Sequence, residues 1–122
     1  MESMDKKLIL NPSILDNYAP SLQAILGKLV SAGFKDIQLQ IDAMNNLNGC
    51  VSQDVMVRSA HSIKSCSAQV GGELLSDFAL EKEQQYISGQ LDTLAEDITI
   101  FSEMFDALKS EMVGVLAERG VE

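Results

Sequence analysis

The longest regular pattern in the chain lies near its C-terminus. Leu91, Leu94, Ile98, Phe101, Phe105, Leu108, Met112 and Val115 alternate three and four residues apart without a miss. Such spacing lines one side of an α-helix and forms the seam of an antiparallel bundle or coiled coil. Glu96, Asp97, Glu103, Asp106 and Glu111 fall off the strict seam and are expected to face water. A second stripe, entered from Leu22, runs through Ile25, Leu26, Leu29, Val30, Phe34, Ile37, Ile41 and Met44. Gly27 and Gly33 interrupt it, each at about 1 kcal/mol against alanine, and a kink is expected near Gly33. Asn45-Asn46-Leu47-Asn48-Gly49 is turn chemistry and stops that helix.

Between the two stripes a third helix is expected from Ser52, with Asp54 in its first turn favouring the positive end of the dipole. Met56, Ala60, Ile63, Ser67 and Val70 share its inner side. Gly71-Gly72 reverses the backbone, and Leu74, Leu75, Phe78 and Ala79 open a fourth helix that ends near Ser88-Gly89. Upstream, Asn11-Pro12 pairs an N-cap residue with proline at the first helical position. It predicts a short helix to about Tyr18, with Pro20 opening the next. Short links between long helices favour antiparallel neighbours. The expected fold is all-α: an up-down-up-down antiparallel four-helix bundle with a short additional N-terminal helix. Residues 1–10 read as a flexible tail, 11–117 as the bundle and 118–122 as a C-terminal tail.

Composition narrows the function. A chain of 122 residues builds one core and is too short for two. No apolar run approaches the roughly 20 residues that cross a bilayer, and Met1–Lys7 lacks the layout of a secretory signal. The net charge of −9 repels phosphate backbones and anionic lipid, so neither nucleic acid nor a membrane is the expected partner. Cys50 and Cys66 have no metal-ligand spacing, and a lone histidine completes no zinc set with them. No metal site is therefore expected. Two unpaired thiols fit a reducing compartment, hence a cytoplasmic location. Cys66, close to the Ile63 side, reads as a small buried hydrophobe.

The chemistry concentrates in Ala60–Gly72, which holds the single histidine. At about 100° per residue, His61 lies almost opposite Ile63 and so points away from the core that Ile63 enters. Lys64 and Ser65 are its neighbours one turn on; Val57 and Arg58 precede it by a turn, and Ala68 follows by two. A lone histidine on a helix is usually no more than a solvated side chain. This one is flanked by Val57, Ser65 and Ala68 where an outer face normally carries Glu and Lys, and it has an ammonium at i+3.

The run His61-Ser62-Ile63-Lys64-Ser65-Cys66-Ser67-Ala68-Gln69-Val70-Gly71 resembles the signature of histidine-containing phosphotransfer (HPt) domains. The histidine, Ile63, Lys64, the small Ser67 and Gly71 are in register; Ser65 stands where the family usually has glycine. With the helical layout, the resemblance extends from about Asn11 to Leu116. It implies a phosphocarrier without independent catalysis in a two-component multistep phosphorelay. His61 would accept a phosphoryl group from a receiver-domain aspartate and pass it to a response-regulator receiver domain. Lys64 would steady the phosphate, and Ser65, Val57, Ala68 and Arg58 would lie near the phosphate or the docking surface. The partners implied are receiver domains of response regulators or of a hybrid sensor kinase. Mg²⁺ would sit on the receiver, with no cofactor held by this chain, and a monomer is expected.

Two points stay open in the sequence. The family often places a Gln or Glu from the following helix near the histidine, and counting without gaps reaches Glu83 as the residue to orient the imidazole. A core leucine usually precedes that position, and here Lys82 does, which leaves room for a slip onto Leu80-Glu81. Ser65, in turn, admits a helical adaptor that docks a receiver without carrying phosphate.

Overall fold

The computed structural model describes residues 8–18, 25–46 and 52–120. Among them a 3-10 turn, Pro12–Asn17, precedes four α-helices: α1 (Leu26–Asn45), α2 (Gln53–Gln69), α3 (Glu73–Ile87) and α4 (Leu94–Glu118). No strand occurs among the described residues. Leu22, Pro20, Leu47–Gly49 and Cys50, each given a part by the sequence pattern, lie outside them. Consecutive helices pack on one another, and α4 returns to α1 to close the bundle. The antiparallel course of α2 and α3 is visible in cross-links that step in opposite senses. Gln53 bonds to Tyr86, His61 to Glu83 and Lys64 to Ser76.

The stripes become the core, except that Ile25, counted in the second, stays 41% exposed. Phe101, Phe105, Leu108 and Met112 of α4 are buried against Val30, Ile37 and Ile41 of α1, Met56 and Ile63 of α2, and Leu75 and Ala79 of α3. Burying each large side chain contributes roughly 1.5–3 kcal/mol. Phe34 meets Phe105 edge-to-face at 5.6 Å between centroids, and Phe78 meets Phe101 at 4.9 Å. No helix is long and apolar enough to cross a membrane among the described residues.

α1 is helical through Gly33, over the whole of Leu26–Asn45, and three expectations elsewhere need correction. A Cβ at Gly33 would lie 3.2 Å from Val70 Cγ1, so the glycine serves close approach of the C-terminal end of α2. Leu8–Leu10 belong to the folded body: the Leu8 amide donates to Glu73 Oε1 at 3.1 Å, the Leu74 amide donates to the Leu8 carbonyl at 2.9 Å, and Leu10 is buried. At the other end α4 continues through Glu118, and Arg119 pairs with Asp16 at 2.8 Å, so the folded part outlasts residue 117. Finally, Asp97 does not face water. It is only 2% exposed, taken inward by partners on α3.

The loop between α2 and α3 is set by glycine. Gly71 adopts φ of +84°, and a side chain there would meet the Asn11 carbonyl oxygen at 2.5 Å. The Asn11 amide donates to the Gly71 carbonyl at 2.7 Å, which ties the N-terminal segment to this corner.

Candidate functional site

α2 begins at Ser52, whose Oγ accepts from the Val55 amide at 3.3 Å. That N-cap satisfies one of the unpaired donors of the first turn and sets the phase of the helix. Met56, Ala60, Ile63 and Ser67 then point inward. Ser67 is tolerated in the core because its hydroxyl donates to the Ile63 carbonyl at 2.5 Å. With Ile63 fully buried, His61 is carried outward, and 59% of its side chain is exposed.

One residue of α3 meets it. Glu83 Oε2 lies 2.8 Å from His61 Nδ1, and Glu83 Oε1 accepts from Lys64 Nζ at 3.0 Å. The carboxylate is sheltered, with 12% of its side chain exposed, while Lys64 is 28% exposed. Burial pushes the Glu83 carboxyl up, but hydrogen bonds from Lys64 and His61, with their charges, outweigh it and hold the group below the usual carboxylate range. Glu83 is therefore ionised near neutrality and can only accept. In the neutral imidazole the proton must sit on Nδ1, leaving the Nε2 lone pair unprotonated. Among the described residues no hydrogen bond reaches Nε2.

Three further bonds, from two side chains, align α2 with α3 on either side of this contact. Gln53 Nε2 donates to the Tyr86 carbonyl at 2.8 Å and the Ile87 carbonyl at 3.2 Å, satisfying groups at the α3 C-terminus. Ser76 Oγ donates to the Lys64 carbonyl at 3.0 Å.

The other sequence candidates line the same face less directly. Ser65 and Ala68 are exposed and Val57 is half-buried. Arg58 is exposed and pairs with Asp54 at 2.9 Å rather than with the imidazole. The slip onto Glu81 is not taken, since Glu81 accepts from Gln85 at 3.3 Å on the outer side of α3. Cys66 is half-buried, and burial, then the Asp36 charge, push its thiol up, which keeps it protonated.

Sequence reasoning missed two groups. Leu80 and Ile87 stay 38% and 58% exposed on α3, one turn before and one after Glu83, so the face around the imidazole is more apolar than α2 alone suggests. The spacing i−3 and i+4 from Glu83 was the available signal. The second group lies behind Glu83, where Lys82 Nζ pairs with Asp97 Oδ1 at 3.1 Å and Tyr86 Oη donates to Asp97 Oδ2 at 2.9 Å. Burial, then the hydrogen bond and charge of Asp97, drive the Tyr86 phenol far above its ordinary value.

No family model matches the chain, and no curated protein does either. Among solved structures the fold is similar to that of histidine-containing phosphotransfer protein B (HptB) from Pseudomonas aeruginosa PAO1. The TM-score is 0.79, with 94% of this chain and 97% of that chain covered, at 17% sequence identity. At that identity the likeness concerns the fold.

Proposed function

We propose that this protein is a histidine phosphocarrier of a two-component phosphorelay. His61 takes a phosphoryl group from the aspartyl phosphate of one receiver domain and hands it to the aspartate of another. The observation that carries the reading is the state of the ring: 59% exposed, with Nδ1 occupied by Glu83 and no hydrogen bond to Nε2 among the described residues. The family motif in register and the fold shared with HptB support it.

In the forward step the Nε2 lone pair attacks phosphorus, the bond from phosphorus to the aspartyl oxygen breaks, and the receiver's carboxylate leaves with that electron pair. The ring becomes an Nε2-phosphorylated imidazolium whose Nδ1 proton stays on the hydrogen bond to Glu83. In the onward step an aspartate oxygen attacks phosphorus, the bond to Nε2 breaks, and neutral imidazole departs in its original tautomer. Phosphoryl transfer needs in-line positioning and charge neutralisation more than covalent work from the protein. Mg²⁺ and most of that neutralisation come from the receiver in this scheme. Lys64, one turn from the ring and already at the shared carboxylate, adds a point charge for the phosphate oxygens. Val57, Ala68, Leu80 and Ile87 give the receiver an apolar landing, with Ser65 and Arg58 at its edge. The carrier works in the cytoplasm, as a monomer.

The test is incubation with a phosphorylated receiver domain. An acid-labile, base-stable label on the wild type that is lost in His61→Gln is the expected result. A receiver that binds without labelling the protein would replace the carrier with the adaptor that Ser65 admits.

A further inference from the structure

α3 is the least decisively patterned helix of the bundle. Its inward side holds Leu75, Ala79, Tyr86 and a lysine, Lys82, whereas Leu80 and Ile87 are left in solvent. At about 100° per residue, Leu80, Glu83 and Ile87 share one flank and Lys82 lies on the next. A partial roll of α3 would bury Leu80 and Ile87, carry Glu83 into the bundle and turn Lys82 out to water. That roll would bury Leu80 and Ile87 but turn Leu75, Ala79 and Tyr86, on the Lys82 side, toward water. The observed rotation does the opposite.

Besides those apolar side chains, a buried polar cluster between α3 and α4 opposes the roll. Lys82, with 12% of its side chain exposed, reaches Asp97, with 3% exposed, at 3.1 Å. Tyr86, fully buried, donates to the second Asp97 oxygen at 2.9 Å, and Thr93 Oγ1 lies 3.2 Å from both oxygens. Lys82 Nζ also donates to Gln85 Oε1 at 3.1 Å and sits 5.4 Å from the centroid of the Phe78 ring. Every polar atom of the cluster has a partner, and no buried side-chain nitrogen or oxygen is left unpaired among the described residues. Rolling α3 would strip Asp97 of its counter-charge and of the Tyr86 hydroxyl while leaving it inside. A buried carboxylate without those partners is strongly disfavoured.

The geometry points to Lys82 and Asp97 as positioning residues: their buried pair fixes the rotation of α3 and thereby holds the Glu83 carboxylate against His61 Nδ1. Lys82 and Glu83 are adjacent, so one rotation serves both contacts. The charge inside the bundle sets the tautomer of the ring outside it. The consequence deepens the proposed transfer, but its readout needs no partner and no phosphate.

Because the chain has a single histidine, its imidazole gives one pair of ring-nitrogen signals in a proton–nitrogen correlation spectrum of the full-length protein. With the imidazole neutral, the wild type is expected to show the Nδ1–H tautomer. Asp97→Asn retains the shape and removes the charge that holds Lys82; it should shift the population toward Nε2–H. Lys82→Met keeps length and packing and removes the ammonium, so it should act in the same direction and decides the matter if Asp97→Asn does not fold. Ile41→Ala, a core truncation in α1, supplies a variant of lowered melting temperature in which the tautomer stays that of the wild type. An unchanged tautomer in folded Lys82→Met and Asp97→Asn would overturn the proposal, as would an equal shift in Ile41→Ala. A tautomer shift in these variants, together with a wild type that never accepts phosphate, would retain the positioning pair and lose the carrier.

Discussion

Two neighbouring residues of α3 hold carboxylate–ammonium contacts of nearly equal length and opposite purpose. Glu83 faces α2 at the rim, 3.0 Å from Lys64, with an imidazole on its other oxygen. Lys82 faces α4 in the interior, 3.1 Å from Asp97, with a phenol on the far oxygen. At the rim, water is available to replace any partner that leaves, so the pair contributes little stability and remains free to rearrange around a phosphate. Inside, Asp97 has no substitute for its partners, so the pair admits a single arrangement. The same chemistry is a tool in one place and a fixture in the other, and the partners make the difference: His61 and Lys64 are open to water, while Asp97 is only 3% exposed.

The contrast breaks most visibly on truncating the interior. Asp97→Ala leaves the Lys82 ammonium and the Tyr86 hydroxyl buried without their partner and should cost about 3–5 kcal/mol in a denaturant titration. Glu83→Ala at the rim should cost ~1 kcal/mol. Equal losses would mean that the two sites do not differ in kind.

At the rim the expected effects are on function. Lys64→Ala removes a charge-assisted contact to phosphate of about 1.5–3 kcal/mol, so transfer should slow roughly 10- to 100-fold with the melting temperature nearly unchanged. An unaltered rate would place the ammonium away from the transferring group. Val57→Glu puts a charge into the apolar landing and should weaken receiver affinity about tenfold, the equivalent of ~1.4 kcal/mol; equal affinity in a titration would move the docking surface elsewhere.

The smallest effect is on pH dependence. The folded-state pKa of Glu83 is held below its ordinary value of 4.5. Its stabilisation is therefore complete above that value, where folded and unfolded chains are both ionised. It is lost as acidification protonates the unfolded chain first and then passes through the lowered folded-state pKa. Glu83→Gln should flatten this part of the stability curve, and an acid limb identical to that of the wild type would mean that the rim contacts are not made in solution.

How much of this was legible in the chain follows the same division. The α4 stripe needed only a period: Phe101, Phe105, Leu108 and Met112 are all buried. Asn11 announced its cap and Ser52 the start of α2, and Ile63 inward with His61 outward fixed the phase of that helix. The approach of Glu83 to His61 came from a gapless count across a glycine turn whose φ of +84° only glycine adopts readily, whereas the bond of Glu83 to Lys64 was not foreseen. The interior pair was not legible. Lys82 stands out only for its place where a core leucine is usual, and Asp97, fifteen positions on, reads as a charge facing water, because periodicity records which side a residue is on and not who meets it there. Leu8–Leu10 were missed for a related reason: their bonds run to Glu73 and Leu74, far along the chain.

The central claim is that Glu83 takes Nδ1 and leaves Nε2 to react. Its most direct test is to load the protein from a phosphorylated receiver and record the proton–nitrogen spectrum of the single imidazole. The account predicts phosphorus on Nε2 with a proton retained on Nδ1. Phosphorus on Nδ1, or a ring unchanged after loading, would contradict it.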